Sequence, residues 1–154
     1  MRYSFAKSLV SAVLLLSYLV FPKFGFPDGG ISGHLLHPLS HANVWHLLAN
    51  ILCLWMLSCD LHLSVSLIVA VVCSFIPCLM SEPTMGFSGV LFAMVGISWG
   101  KVGMFREMLC RNKWFLIIPA FIPHVNALIH LYCFVAGYAA GRYVIRKENK
   151  SDWV

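Results

Sequence analysis

The chain has 154 residues, enough for one domain, of which 60% are hydrophobic and only 11% charged. Soluble domains carry about 25% charged residues, so a mean hydropathy of +0.81 points to lipid rather than water as the solvent of much of the surface. The formal charge is +5, but the basic residues gather at the two ends and between Lys101 and Lys113, flanking apolar runs instead of lining one face, which argues against a nucleic-acid partner.

A helix crossing the hydrocarbon needs about 20 mostly apolar residues. Six stretches approach this: 8–21, 44–59, 63–80, 87–100, 114–123 and 126–144. The first has the basic start and apolar run of a signal peptide, but Leu-Val-Phe-Pro-Lys follows it instead of a small-residue cleavage site, so it is expected to be a retained span. The segment 22–42 is the longest loop on the outside, rich in Gly, Pro and His. The fifth stretch is the weakest. No charge occurs between Trp114 and Gly141, and Pro119 and Pro123 mark a break within that run. With six spans and the N-terminus inside, ten basic residues fall inside and only Lys23 outside, in line with the positive-inside rule. Merging the last two stretches would put the basic tail outside. The expectation is an all-α membrane protein, one domain over 1–154 with a polar tail at 145–154 and both termini cytoplasmic. Most of the six cysteines lie in apolar runs and no CxxC pair occurs, which suits small packing residues.

Polar groups retained in a membrane are candidates for function. Asp60 sits at an inside end, and Asp28 and Glu82 lie in outside loops, so a Ser-His-Asp triad lacks its third member. A Ser-His pair needs only a hydroxyl beside a base. Gly86-Phe87-Ser88-Gly89 opens the fourth stretch; flanking glycines permit a tight turn and close substrate approach, although such a tetrapeptide also serves as a plain helix start. His130 lies near the outside end of the sixth stretch, ahead of Gly137 and Gly141, whose spacing lets two membrane helices approach closely. The alternative for His130 is a bond to a neighbouring carbonyl. His46 and Asn50 are four apart, on one helix face, and both could donate toward an oxyanion; Asn50 could instead bridge helices, and His37, His41 and His46 could bind a metal. Stretches two, four and six all have their outside ends in one leaflet, which places His46, Ser88 and His130 at similar depth.

The pattern His46 with Asn50, Gly86-Phe-Ser88-Gly89 and His130 with Gly137, in this order over residues 37–141, resembles the rhomboid family of intramembrane serine proteases in its minimal six-span form. His37 and His41 fall where that family often has histidines. The resemblance implies a six-helix bundle with core 37–144, Ser88 as nucleophile and His130 as base. It implies an oxyanion hole of His46, Asn50 and the Ser88 amide, and support from Gly86, Gly89, Gly137 and Phe92, the last packing on the catalytic imidazole. It further implies a fifth span that gates lateral substrate entry, transmembrane proteins as substrates, no metal or cofactor, and a bacterial plasma membrane with the site toward the outer leaflet. Two features depart from the family: Cys133 stands where a glycine usually follows the histidine, and the first outside loop lacks a Trp-Arg pair. His124 is a rival base. Outside the protease class, the rivals are an inactive relative that only binds membrane clients and a metal or transport protein built on the histidine cluster.

Overall fold

A computed structural model describes residues 2–20, 25–57, 62–79, 83–103, 105–117, 121 and 125–151. Among them the chain is helical: α1 Arg2–Val20, α2 Gly30–Leu36, α3 Val44–Met56, α4 Leu63–Ser74, α5 Ser88–Val102, α6 Phe105–Ile117 and α7 Ala127–Ser151, with single 3-10 turns at His37–Leu39 and Pro77–Leu79. The extended pairing described is an isolated antiparallel bridge, Phe26 with Thr84.

The second, fourth and sixth stretches lie where the sequence places them. Asn43 caps α3, its side-chain oxygen accepting from the His46 backbone N–H at 2.9 Å. Gly103 ends α5 with φ +75°, the left-handed residue that closes many helices. The third stretch breaks early: α4 stops at Ser74 because Pro77 cannot donate the next helical bond. The fifth stretch is corrected most. Helix α6 begins at Phe105 and carries Arg106, Glu107 and Lys113, in what the sequence reads as a basic loop, and residues 118–120 and 122–124 lie outside the described set. The segment 22–42 also contains α2, and α7 runs on into the polar tail. The full-length spans are not seen either: among the described residues no helix is long and apolar enough to cross a membrane. Helices α3 to α6 have 13, 12, 15 and 13 residues, about 18–23 Å each against a hydrocarbon layer of about 30 Å.

The bundle is built around α5, which is buried on every side over most of its length, as befits a helix that is apolar all round. It packs chiefly against α7, and α4 touches both. A side-chain carbon on Gly96 would strike the Phe134 carbonyl, and on Gly100 the Tyr138 carbonyl; from α7, Gly137 faces the Ala93 carbonyl and Gly141 that of Ile97. The rising numbers on both helices mean that α5 and α7 run parallel, backbone against backbone. Two of these glycines were legible in α7; Gly96 and Gly100 repeat the same spacing in α5. Helix α1 is pinned to α3 by the buried Lys7, whose ammonium donates to the Trp55 and Leu57 carbonyls, a cation at the negative end of a helix. Around this interior the outer faces are apolar: Leu16, Leu19, Trp45, Leu52, Ile68 and Val135 are among the exposed side chains.

Candidate active site

Ser88 is the first residue of α5 and His130 the fourth of α7. Since these helices are parallel and nearly in van der Waals contact along their backbones, their N-terminal turns meet. His130 Nε2 lies 2.8 Å from Ser88 Oγ. His130 is 6% exposed, and its Nδ1 is buried with no hydrogen-bond partner among the described groups. If Nε2 accepts the hydroxyl proton, Nδ1 carries the ring hydrogen, and no carboxylate among the described residues orients it. Packing does so instead: the Phe92 ring, one turn along α5 from Ser88, lies on the imidazole at 4.4 Å and 5°. Phe115 of α6 stacks on Phe92 at 4.4 Å, a support that no spacing in the sequence announced.

The turn before Ser88 is set by Gly86, at φ +122°, a region that side chains avoid. A side-chain carbon there would also fall 2.6 Å from the His46 ring, so His46 lies directly over the turn that presents Ser88. The Gly86 N–H donates to the His37 carbonyl at 2.8 Å, and the Thr84–Phe26 bridge holds the same segment from the other side at 2.9 and 3.1 Å. The loop rich in histidine thus serves as a seat for the serine turn. Gly89, next to Ser88, has Cys133 opposite: an added carbon would sit 3.4 Å from its sulfur, so the thiol fills the space between the two helices beside the serine without forcing them apart.

Asn50 is 4% exposed, and its amide donates to the His46 carbonyl of its own helix at 2.9 Å, which leaves one amide hydrogen for another acceptor. His37 Nδ1–H donates to the His34 carbonyl at 2.8 Å. His41 meets His46 edge to face at 5.3 Å, and both of its ring nitrogens are buried without a partner among the described groups. Burial pushes His37 and His41 down to about 4, so both are neutral at pH 7. The three histidines are not drawn into a metal site; among the described residues no group of three His, Cys, Asp or Glu side chains is placed to hold an ion. Cys73 and Cys133 are buried, whereas Cys78 and Cys110 are exposed. His124, the rival base, lies outside the described residues.

Sequence reasoning missed Asn126. Its amide donates to the Leu79 carbonyl at 3.2 Å and to Thr84 Oγ1 at 2.8 Å, and its oxygen accepts from the Ile129 N–H at 3.4 Å. An Asn just ahead of a helix is a recognisable cap signal; its grip on the serine loop is not.

Compared with known proteins, residues 28–147 match the family model described as Rhomboid domain. No curated protein and no solved structure matches the chain.

Proposed function

The chain belongs to the rhomboid family, and from that premise we propose that it is an intramembrane serine endopeptidase with Ser88 as nucleophile and His130 as general base. The observation that carries this reading is the 2.8 Å contact between His130 Nε2 and Ser88 Oγ, beneath a stacked Phe92. As Ser88 Oγ attacks the scissile carbonyl, its proton passes to His130 Nε2. The imidazolium formed has no carboxylate partner among the described groups; the face of Phe92 offers it the negative side of a ring quadrupole.

The carbonyl oxygen becomes an oxyanion near the start of α5. The first N–H groups of a helix have no intrahelical acceptor, so the Ser88 amide is available to it, together with the His46 ring over Gly86 and the unused hydrogen of the Asn50 amide. Loss of one such donor costs about 10²–10³ in rate in well-studied hydrolases. Collapse of the tetrahedral species breaks the C–N bond, and His130 returns the proton to the leaving amine. Water then attacks the Ser88 ester, giving its proton to His130, and Ser88 Oγ leaves with that proton restored. No metal or cofactor enters.

Rhomboid membership places the chain in a membrane, and the apolar side chains exposed around the bundle suit that setting. The basic residues favour six spans with both termini cytoplasmic and the dyad toward the outer leaflet, and the short six-span plan is what suggests a bacterial plasma membrane. A helical substrate hides its scissile carbonyls in hydrogen bonds, so the preferred substrates are transmembrane segments with small or helix-breaking residues near their outer end.

The test is labelling of the purified protein in detergent by a fluorophosphonate probe, alongside cleavage of a model transmembrane substrate. Ser88→Ala and His130→Ala should abolish both, and His124→Ala should retain them. A wild type that neither labels nor cleaves would instead favour an inactive relative that binds membrane clients. Labelling lost in His124→Ala but kept in His130→Ala would reassign the base.

A further inference from the structure

Ser88 and His130 are brought together by two segments that meet at their entries as well as along their helices. Residues 83–87 deliver Ser88 to the start of α5, and Asn126 precedes the turn of α7 that carries His130. The Asn126 side chain reaches across this entry. One amide hydrogen goes to the Leu79 carbonyl and the other to Thr84 Oγ1, four residues before Ser88. Its oxygen caps α7 through the Ile129 N–H, one residue before His130. Leu79 is fully buried and Thr84 is 8% exposed, so the acceptor ends of this strut are shielded from water, where a hydrogen bond has little competition.

We propose that Asn126 is a positioning residue of the dyad: its amide locks the loop that presents Ser88 to the first turn of α7, and so sets the distance between Ser88 Oγ and His130 Nε2. The geometry separates this role from capping. The oxygen alone serves the cap, and the two N–H groups alone serve the strut. Serine caps a helix about as well as asparagine but has no amide to reach Leu79 or Thr84. Asn126→Ser therefore removes the strut and keeps the cap, while Asn126→Ala removes both. A shift of about 1 Å between reacting groups can cost on the order of 10²-fold, so a strut of this kind acts on the rate of the chemical step.

The inference rests on the Ser88–His130 reading, and its test keeps the two apart. The full-length protein in detergent is reacted with a fluorophosphonate, and the rate constant and final extent of labelling are recorded separately, with kcat and KM on a model transmembrane substrate. The expected result for Asn126→Ser is a labelling rate and kcat lowered roughly 10-fold to 100-fold, with unchanged KM and final extent and a modestly lower melting temperature, because two buried acceptors lose their donor. Asn126→Ala should lose the same rate and melt earlier still, because the cap goes as well. Thr84→Val, which removes the acceptor from the far side of the strut, should slow labelling in the same sense. Combined with Asn126→Ser it should add little, because both remove one interaction. A purely structural role would lower the extent of labelling and leave the rate per active molecule unchanged; that result, or full additivity of the two substitutions, would overturn the inference while the dyad stands. If Asn126→Ser does not fold, Thr84→Val alone decides, and a wild-type rate there counts against the strut. Failure of the wild type to label would remove the dyad reading itself, and this inference with it.

Discussion

Phe92 stands between two partners, the imidazole of His130 on one face and the ring of Phe115 on the other. In a serine hydrolase with a third acidic residue, a hydrogen bond to Nδ1 fixes the base; here Nδ1 has no partner among the described groups, and in the proposed dyad ring packing takes over that duty. Phe92→Leu should keep the bundle intact, since leucine also fills apolar space, but remove the flat face. The expected loss in kcat is about tenfold, equivalent to about 1.4 kcal/mol, with KM little changed. Cleavage kinetics on a model substrate would check this, and an unaltered kcat would mean that the stack merely fills volume. Ser88 and His130 were candidates from the chain alone because a hydroxyl and an imidazole carry their chemistry wherever they lie, whereas Phe92 entered only through the family resemblance. Asn126 and Phe115 could not, because what they do depends on which atoms lie opposite.

Between elements, the decisive contact is the parallel seam of α5 and α7. With Gly96, Gly100, Gly137 and Gly141 the backbones touch directly, and any added carbon would meet a carbonyl. Gly137→Ala should therefore spread the seam and destabilise the protein by about 1–3 kcal/mol, the usual cost of overpacking. It should also slow fluorophosphonate labelling, because Ser88 and His130 ride on the two helices being separated. Thermal unfolding in detergent beside the labelling rate tests both halves; wild-type values in both would show that the helices can accommodate the methyl group. The seam was half legible: the spacing of Gly137 and Gly141 suggested close packing, but a small-residue pair does not name its partner helix. The fifth element was misplaced for a related reason. Charge density marks 101–113 as a loop, yet a helix with an apolar side can carry charge on its free face, as α6 does.

For the whole molecule, the surface is inverted relative to a soluble domain. The central helix is buried all round, and large apolar side chains point outward from α1, α3, α4 and α7. Trp45 and Trp55 are 76% and 45% exposed on α3, whereas Trp99 is 6% exposed inside α5. Reconstituted into bilayers with brominated acyl chains, variants retaining Trp45 or Trp55 alone should be strongly quenched and one retaining Trp99 alone should be spared. Equal quenching of all three would mean that the outward apolar faces do not meet lipid chains. Composition and hydrophobic patterning by themselves determined that this chain is helical and apolar outside, and the order of its polar motifs determined which serine and histidine to examine, because burial preference and side-chain chemistry belong to each residue wherever it lies. Only the tertiary structure decided that the serine turn sits on the histidine loop, that α5 and α7 run parallel in contact, and that Asn126 ties their entries together, because those facts rest on angstrom-scale distances between segments some 40 residues apart in the chain, which packing sets and no local pattern encodes.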